Sequence, residues 1–305
     1  MGAVNELVNR REFMKQTGIA AATLTISPSI LAACGAQSSG TGAQTTLDSA
    51  KKAGVLRVGF ANEAPYAFAD TSGKLTGEAP TVAEAIMKQL GVPKLEGVLT
   101  EFGALIPGLL ANRFDMIAAG MFITPKRCGQ ILFSNPDYVA TEALAVKAGN
   151  PANLSDYASI AQNSKVVAGA ETGAVEGPWM QQSGIPADRV QLFPNGPTGM
   201  QALQSGRIQA FSLTAISLDY LVKTGGFSGL EVLQPFVPVV NGKKQLGGGG
   251  YGFRKSDADF VKLFNAALAS LQNGQLATLV EPFGFKGETI SAAKGLTADQ
   301  LCKAS

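Results

Sequence analysis

Histidine is absent from all 305 residues of the chain. This absence excludes catalytic groups built on histidine, a histidine general base and most zinc sites. Charge is also scarce, since charged residues make up 16% of the sequence and the formal net charge is +2. A balance this close to neutral implies no broad basic surface for nucleic acid. Hydrophobic residues make up 46%, so the chain is not globally disordered, and its length suggests two domains.

Cysteine is rare as well, with only Cys34, Cys128 and Cys302 present. Residues 1–33 combine a basic start, Arg10 and Arg11, with a weakly apolar run and small residues, which predicts a signal peptide. A membrane-spanning anchor is disfavoured by Pro28 and by the many Gly, Ser and Thr residues of this run. The arginine pair resembles a twin-arginine export signal, and residues 31–34 (LAAC) resemble a bacterial lipobox that would place a lipid on Cys34.

These features predict an exported protein, periplasmic or on the cell surface, held to a membrane by the lipid on Cys34. Residues 34–49 are rich in Gly, Ser, Gln and Thr and are expected to form a flexible tether. In an exported protein the two remaining cysteines, Cys128 and Cys302, are expected to pair, although the sequence does not give the distance between them.

Strands and helices alternate in two blocks along the chain, which predicts two α/β lobes with mostly parallel sheets. The strongest patterns are strands expected over residues 56–60, 98–102, 114–120, 142–147, 165–169, 190–193 and 208–213, and helices over 80–90, 105–111, 198–205 and 257–273. A turn over residues 170–173 is expected to open a further helix through Gln182. Residues 101–127 are the most informative stretch, because Phe122, Thr124 and Arg127 directly follow a buried strand. Ligands usually bind at the carboxyl ends of such strands, and a ring beside a guanidinium suits a small carboxylate.

Segments spread over residues 50–302 resemble the family 3 extracellular solute-binding proteins of ABC importers. They are residues 58–66 (VGFANEAPY), 73–78 (GKLTGE), 113–127 (RFDMIAAGMFITPKR), 133–138 (FSNPDY), 251–254 (YGFR) and 282–285 (PFGF). The resemblance implies a two-lobed periplasmic-binding-protein-like fold of type II. Lobe 1 is then formed by residues 50–143 and 252–305 and lobe 2 by residues 144–251. Hinge strands are expected at 143–147 and near 250–253, with the ligand in the cleft.

Within the family the likeness is strongest to the ectoine/hydroxyectoine-binding components, through residues 62–66 (NEAPY), 100–103 (TEFG) and 118–128 (AAGMFITPKRC). It implies a monomeric receptor without cofactor or metal, which delivers this zwitterion to a membrane permease. The alternatives are a receptor for a betaine or a cationic or polar amino acid, and an exported cyclohexadienyl dehydratase-like enzyme. Without histidine, that enzyme would need Glu63 or Glu171 as its general acid.

The resemblance also implies roles for residues of lobe 1. Arg127 is expected to hold the ligand carboxylate through a bidentate pair. Tyr66, Phe102 and Phe122 match the three aromatic positions of a cation–π box. Glu63 is expected to accept hydrogen bonds from the N–H groups of a cyclic amidinium.

Lobe 2 is expected to close over this site. Thr172 and Gly173 lie where backbone N–H groups at a helix start can meet the carboxylate. Thr214 stands where amino-acid binders of the family often carry an aspartate for the ligand ammonium, which argues against an ordinary α-amino acid. Phe193 and Asn195 are expected only at the edge of the cleft.

Overall fold

The computed structural model describes residues 45–303. The expected signal peptide, Cys34 and most of the expected tether lie outside these residues. Within the described range, no helix is both long and apolar enough to cross a membrane.

The strands of the described range follow one another in chain order. They are β1 (Val55–Phe60), β2 (Phe68–Ala69), β3 (Leu75–Thr76), β4 (Lys94–Leu99), β5 (Met116–Phe122), β6 (Leu132–Phe133), β7 (Tyr138–Ala140), β8 (Glu142–Lys147), β9 (Ala168–Glu171), β10 (Val190–Phe193), β11 (Ala210–Thr214), β12 (Leu230–Val232), β13 (Val239–Val240), β14 (Lys243–Lys244) and β15 (Gly247–Phe253).

The α-helices lie between these strands and at both ends of the range. They are α1 (Thr46–Ala53), α2 (Glu78–Gln89), α3 (Leu105–Leu110), α4 (Pro125–Cys128), α5 (Tyr157–Gln162), α6 (Glu176–Gln182), α7 (Gly196–Gln204), α8 (Ala215–Thr224), α9 (Ala258–Gln272), α10 (Leu276–Val280), α11 (Gly287–Ala293) and α12 (Ala298–Lys303).

Two separate sheets form the two lobes. In lobe 1 the strand order is β4-β1-β5-β15-β6, with β7 also paired to β15. In lobe 2 the order is β10-β9-β11-β8-β12. The strands β4, β1 and β5 run parallel, as do β10, β9 and β11, whereas β15 and β8 are antiparallel to their neighbours. Each sheet is thus mainly parallel at its centre, and the carboxyl ends of its strands form one edge where loops can collect.

The chain changes lobe at two points that differ from the expected boundaries. β7 belongs to lobe 1 and β8 to lobe 2, so the first crossing lies at Thr141 and not after residue 143. On the way back, β15 pairs with β5 from Gly249 to Gly252, so the whole strand belongs to lobe 1. The second crossing therefore lies at Gln245 and Leu246, several residues before the expected boundary at 251. Both segments that we expected to be hinges, 143–147 and 250–253, instead pair with other strands inside the sheet of their lobe.

Helix positions follow from apolar spacing and from capping side chains. On α9 the buried residues Phe260, Phe264, Ala267, Leu268 and Leu271 recur on one face, as an amphipathic helix requires. On α2 the buried residues Val82, Ile86 and Met87 do the same. α2 packs against α9 and α10, which closes one face of the lobe 1 sheet with chain from both ends of the sequence.

The expected tether over residues 34–49 is too long at its carboxyl end, because residues 46–49 belong to α1. The Thr45 side chain accepts a hydrogen bond from the backbone N–H of Asp48 and caps the helix. Leu47 and Ala50 are buried against lobe 1, so this turn is part of the fold.

Candidate functional site

The cleft between the lobes contains a cavity at the carboxyl ends of the central strands. Its empty space is about 310 Å³, including the opening to solvent. The lining comes from both lobes and consists of Glu63, Tyr66, Phe102, Gly120, Phe122 and Arg127 from lobe 1 and Ala174, Val175, Glu176, Leu213 and Thr214 from lobe 2. We call this space the main cavity.

Arg127 is a buried cation at one side of the main cavity. It lies in α4, whose start is fixed by Pro125 and by Thr124, whose side chain accepts the N–H of Arg127 at 3.3 Å. One guanidinium nitrogen donates to the carbonyl of Phe122 at 2.7 Å, and the other to the carbonyl of Gly173 in lobe 2 at 3.0 Å. The guanidinium carbon lies 5.4 Å from the centre of the Phe102 ring.

This guanidinium has no ion pair with any carboxylate in the described residues. Burial lowers the pKa of Arg127 to about 10, and the nearby carboxyl groups of Glu176 and Glu63 oppose that shift. Arg127 therefore stays charged at neutral pH. Of its five N–H donors two are used, which leaves three for a ligand carboxylate.

Two carboxyl groups face the main cavity, Glu63 from lobe 1 and Glu176 from lobe 2. Burial raises the pKa of each to about 7, with the charge of Arg127 acting in the opposite direction. Behind Glu176 lies Glu142, the first residue of β8, where burial and the neighbouring Glu176 raise the pKa well above its usual range. The site thus holds more acid than base, and a cationic group in the ligand would offset the excess.

The three predicted rings line the main cavity without stacking on one another. Phe102, expected at the end of a strand, lies in a 3-10 turn after β4 and packs under the guanidinium of Arg127. Tyr66 packs against Tyr138 at 5.2 Å between ring centres, and its buried hydroxyl has no hydrogen-bond partner in the described residues. Phe122 lies 6.3 Å from the ring of Trp179, the only tryptophan of the chain, which belongs to α6 of lobe 2.

Glycines determine where these rings lie. Gly120 has a φ of 65°, and a β-carbon there would meet the Tyr66 ring at 2.4 Å. In β15, a β-carbon on Gly247 would lie 2.5 Å from the Phe122 ring, and one on Gly249 would lie 2.0 Å from the Tyr138 ring. The glycine run 247–250, which lacks the features of a phosphate loop, therefore serves as a flat surface for the rings.

The predicted residues of lobe 2 differ in whether they line the main cavity. Thr214 lines the main cavity and caps α8. Thr172 is exposed and Gly173 does not line the cavity either. We expected N–H donors from these two residues, but Gly173 presents its carbonyl to Arg127. The helix that we expected directly after the turn at 170–173 begins later, because α6 starts at Glu176.

The structure also brings in residues that the sequence did not single out, notably Glu176, Glu142 and Ser217. The Ser217 hydroxyl, in the first turn of α8, donates to the Glu63 carboxylate at 2.8 Å. This bond and that from Arg127 to Gly173 both cross the cleft, so the lobes are described in a closed arrangement. One sequence signal could have identified Glu176, namely an acidic residue in the first helical turn after a buried strand.

Cys128 and Cys302 are bonded to each other, with 5.7 Å between their α-carbons. Cys128 is the last residue of α4 and Cys302 lies in α12. The bond therefore anchors the short helix that carries Arg127 to the end of the described chain.

Residues 56–286 match the family described as bacterial extracellular solute-binding proteins, family 3. The chain belongs to this family. A probable amino-acid ABC transporter periplasmic-binding protein, y4tE, of Sinorhizobium fredii (strain NBRC 101917 / NGR234) is 34% identical over 261 residues, which are 84% of this chain and 86% of that protein. The lysine/arginine/ornithine-binding periplasmic protein of Escherichia coli (strain K12) is 29% identical over 68% of this chain and 78% of its own length.

Solved structures of similar proteins agree with the fold. The structure of EhuB in complex with hydroxyectoine is 38% identical, covers 85% of this chain and 98% of that one, and has a TM-score of 0.78. An ancestral amino acid-binding protein described as a precursor of cyclohexadienyl dehydratase is 27% identical, with 78% and 99% covered and a TM-score of 0.68. The predicted two-lobed type II fold and the family resemblance are thereby confirmed.

Proposed function

We propose that this solute-binding protein captures ectoine or hydroxyectoine outside the cytoplasm and delivers it, by lobe closure, to the membrane permease of an ABC importer. The observation that carries the proposal is the buried, ion-pair-free Arg127 facing three rings and two carboxyl groups in one small cavity. A compact zwitterion, with a carboxylate and a cyclic amidinium close together, matches that arrangement of charges.

Each part of such a solute has a group to meet. The carboxylate would accept the free N–H donors of Arg127. The amidinium would lie against Tyr66, Phe102 and Phe122, where each cation–π contact contributes on the order of 0.5–2 kcal/mol. Its N–H groups would donate to Glu63 and Glu176, whose excess negative charge they would balance. The likeness to the hydroxyectoine complex of EhuB supports the same assignment.

A second candidate is a cationic amino acid, such as arginine or lysine. The carboxyl groups of Glu63 and Glu176 favour it, and so does the likeness to the lysine/arginine/ornithine-binding protein. Thr214 weighs against it, because no carboxylate stands at that position to pair with an α-ammonium group.

The test is calorimetric titration of the purified protein with ectoine, hydroxyectoine, glycine betaine, arginine and glutamine. We expect ectoine or hydroxyectoine to bind at least about tenfold more tightly than the other three. Tight binding of arginine with no heat from ectoine would replace the first candidate by the second. Formation of phenylpyruvate from prephenate in the same preparation would contradict a purely binding role.

We also propose that export depends on residues 1–33 and that a lipid on Cys34 holds the protein, as a monomer, at the outer face of a membrane. The Cys34→Ser variant should then move from the membrane fraction to the soluble fraction of cells, while its ligand affinity stays unchanged. Retention of the variant in the membrane fraction would argue against lipidation.

A further inference from the structure

Two carboxyl groups of lobe 1 are buried outside the main cavity and have no part in the function proposed above. Glu78 is the first residue of α2 and is 0% exposed, and Asp137, which directly precedes β7, is 1% exposed. Within the described residues neither acid forms an ion pair, and no N–H or O–H group of another residue donates to either carboxyl oxygen of Glu78. Burying an acid without a donor is costly unless it meets a partner of another kind.

The partner of each acid is the other acid, because their carboxyl groups hydrogen-bond each other. A carboxylate only accepts hydrogen bonds, so this contact requires a proton on one of the two groups. The Tyr251 hydroxyl lies 2.9 Å from Oδ2 of Asp137 and favours the ionised form of that acid, which leaves Glu78 as the protonated partner. Burial and the neighbouring Asp137 raise the pKa of Glu78 well above its usual value, in agreement with this assignment.

The first turn of α2 also holds the loop that carries Tyr66. The backbone N–H of Glu78 donates to the carbonyl of Pro65 at 3.0 Å, and that of Ala79 donates to the carbonyl of Tyr66 at 2.9 Å. A shift at the start of α2 would therefore be passed to Tyr66, which lines the main cavity.

Asp137 connects the acid pair to the ring that packs against Tyr66. Its backbone N–H donates to the carbonyl of Gly249 in β15 at 3.1 Å. The next residue is Tyr138, whose ring centre lies 5.2 Å from that of Tyr66. The contact between Glu78 and Asp137 thus joins the two segments that place the Tyr66 and Tyr138 rings against each other.

We infer that Glu78 and Asp137 are positioning residues, which share one proton and thereby hold the ring of Tyr66 in its place at the main cavity. The inference rests on the proposed function only in taking Tyr66 as a ring that contacts the solute. Loss of the proton would leave two negative charges in contact without water, and their repulsion would separate the two segments.

The surroundings of the pair leave this proton to the two acids. The titratable side chains that face it are Tyr251 of β15, Tyr138 of β7 and Tyr66, with Glu63 beyond them in the main cavity. Burial raises the pKa of all three tyrosines well above the usual value, so they stay protonated. The buried residues of α9 and α10, which pack on α2, and of α11, which packs on β7, are apolar.

The first experiment counts protons. Chemical unfolding of the purified protein, its Glu78→Gln variant and a Glu84→Gln control is measured between pH 5 and 8. In the unfolded chain Glu78 ionises above its usual pKa of 4.5, whereas in the folded protein it keeps the proton, so the free energy of unfolding falls as the pH rises. Glutamine keeps an N–H donor for Asp137 but has no titrating proton, so this dependence should decrease by about one proton. Glu84 is an exposed acid of the same helix, and its variant should behave like the unaltered protein.

The second experiment tests the positioning of Tyr66. Calorimetric titration with ectoine at pH 7 compares the unaltered protein with Glu78→Gln and Glu78→Leu. Leucine has no donor for Asp137, so we expect Glu78→Leu to weaken ectoine by about tenfold, whereas Glu78→Gln should stay within about twofold of the unaltered protein. A role in packing alone predicts that leucine is tolerated as well as glutamine.

Two outcomes would overturn the inference. One is a pH dependence of unfolding that is the same in Glu78→Gln as in the unaltered protein. The other is equal affinity of the leucine and glutamine variants for ectoine. If Glu78→Leu does not fold, Tyr251→Phe takes its place, with ectoine expected to bind about threefold more weakly because Asp137 loses a donor. Unchanged affinity in that variant would also overturn the positioning role.

Failure of the proposed function is distinguishable from failure of this inference. If ectoine does not bind the unaltered protein, the proposed function fails, and the same titrations are made with arginine. The proton count needs no ligand, so it decides the protonation of the pair in either case.

Discussion

The two lobes contribute opposite chemistry to the cleft. Lobe 1 supplies the three rings and Arg127, the one basic residue of the described chain that lines the main cavity, from the ends of β1, β4 and β5 and the segments that follow them. Lobe 2 supplies most of the acid, with Glu176 in the main cavity, Glu142 behind it and the buried Glu171 at the end of β9. Lobe 1 alone can therefore orient a carboxylate and offer one acid, Glu63, to a cation, whereas the second acid, Glu176, reaches the ligand only when the lobes meet.

The largest expected effect tests the contribution of lobe 1. Arg127→Lys should weaken ectoine roughly 100-fold, about 2.7 kcal/mol, because an ammonium has three donors and cannot pair the carboxylate bidentately while also donating to Phe122 and Gly173. Titration calorimetry measures the change. Arg57→Lys is the matched control, since Arg57 is partly exposed and paired with Asp115 far from the cleft. Equal losses in both variants would show a general effect on folding.

Phe122 tests whether the rings of lobe 1 recognise the cation or only pack. Phe122→Ala should weaken ectoine by roughly 1–3 kcal/mol, because it removes both the ring face and its packing. Phe122→Leu is the sharper comparison, since it keeps apolar bulk against β15 but has no π face. If the leucine variant binds ectoine as well as the unaltered protein does, Phe122 is a core residue without a role in cation binding.

The pH dependence of ectoine binding tests whether the carboxyl groups of Glu63 and Glu176 take part in recognition. The pKa of both Glu63 and Glu176 is raised to about 7, so these groups are protonated below that pH and ionised above it. A cation binds the ionised form, so the affinity should fall as the pH falls through 7. We expect ectoine to bind about tenfold more weakly near pH 6 than near pH 8.

Two other groups near the site do not disturb this test. Arg127, with its pKa at about 10, stays charged across the range, and Glu171, also at about 10, stays protonated in the unliganded protein. Calorimetry in buffers matched for ionisation heat measures the affinity for ectoine as a function of pH and gives a titration curve. Glu176→Gln should flatten it by removing one of the two titrating groups. If the affinity of the unaltered protein for ectoine does not change with pH, the carboxyl groups of Glu63 and Glu176 do not take part in recognition.

The same contrast explains how much could be predicted from the sequence. In lobe 1 the local order of residues was sufficient, because Phe122 ends β5 and Arg127 lies in the short helix that follows it. β8 was predicted from Glu142 to Lys147 and is found there. The family and the two-lobed fold were likewise predicted from matching segments along the chain.

The acids of lobe 2 could not be predicted in this way. Glu142 is buried behind the cleft because β8 pairs with β11, and Ser217 reaches Glu63 only across the cleft, over 154 positions of sequence. Glu176 was missed because of an error in local structure, since we expected the helix to open at Thr172 and Gly173 and placed those two residues at the ligand, whereas α6 begins at Glu176. Such contacts depend on tertiary pairing, which no local pattern encodes.

The glycines of β15 should affect the outcome of mutational scanning of this protein. The strand contributes no residue to the lining of the main cavity, yet a methyl group added at Gly247 or Gly249 would push Phe122 or Tyr138 away from it. Phe122 lines the main cavity, and Tyr138 packs against the lining residue Tyr66, so displacement of either ring would change the shape of the cavity. A mutational scan that measures ligand binding should therefore detect losses at Gly247 and Gly249, although neither glycine lines the main cavity. These glycines act on the depth of the binding space through the rings that pack against them.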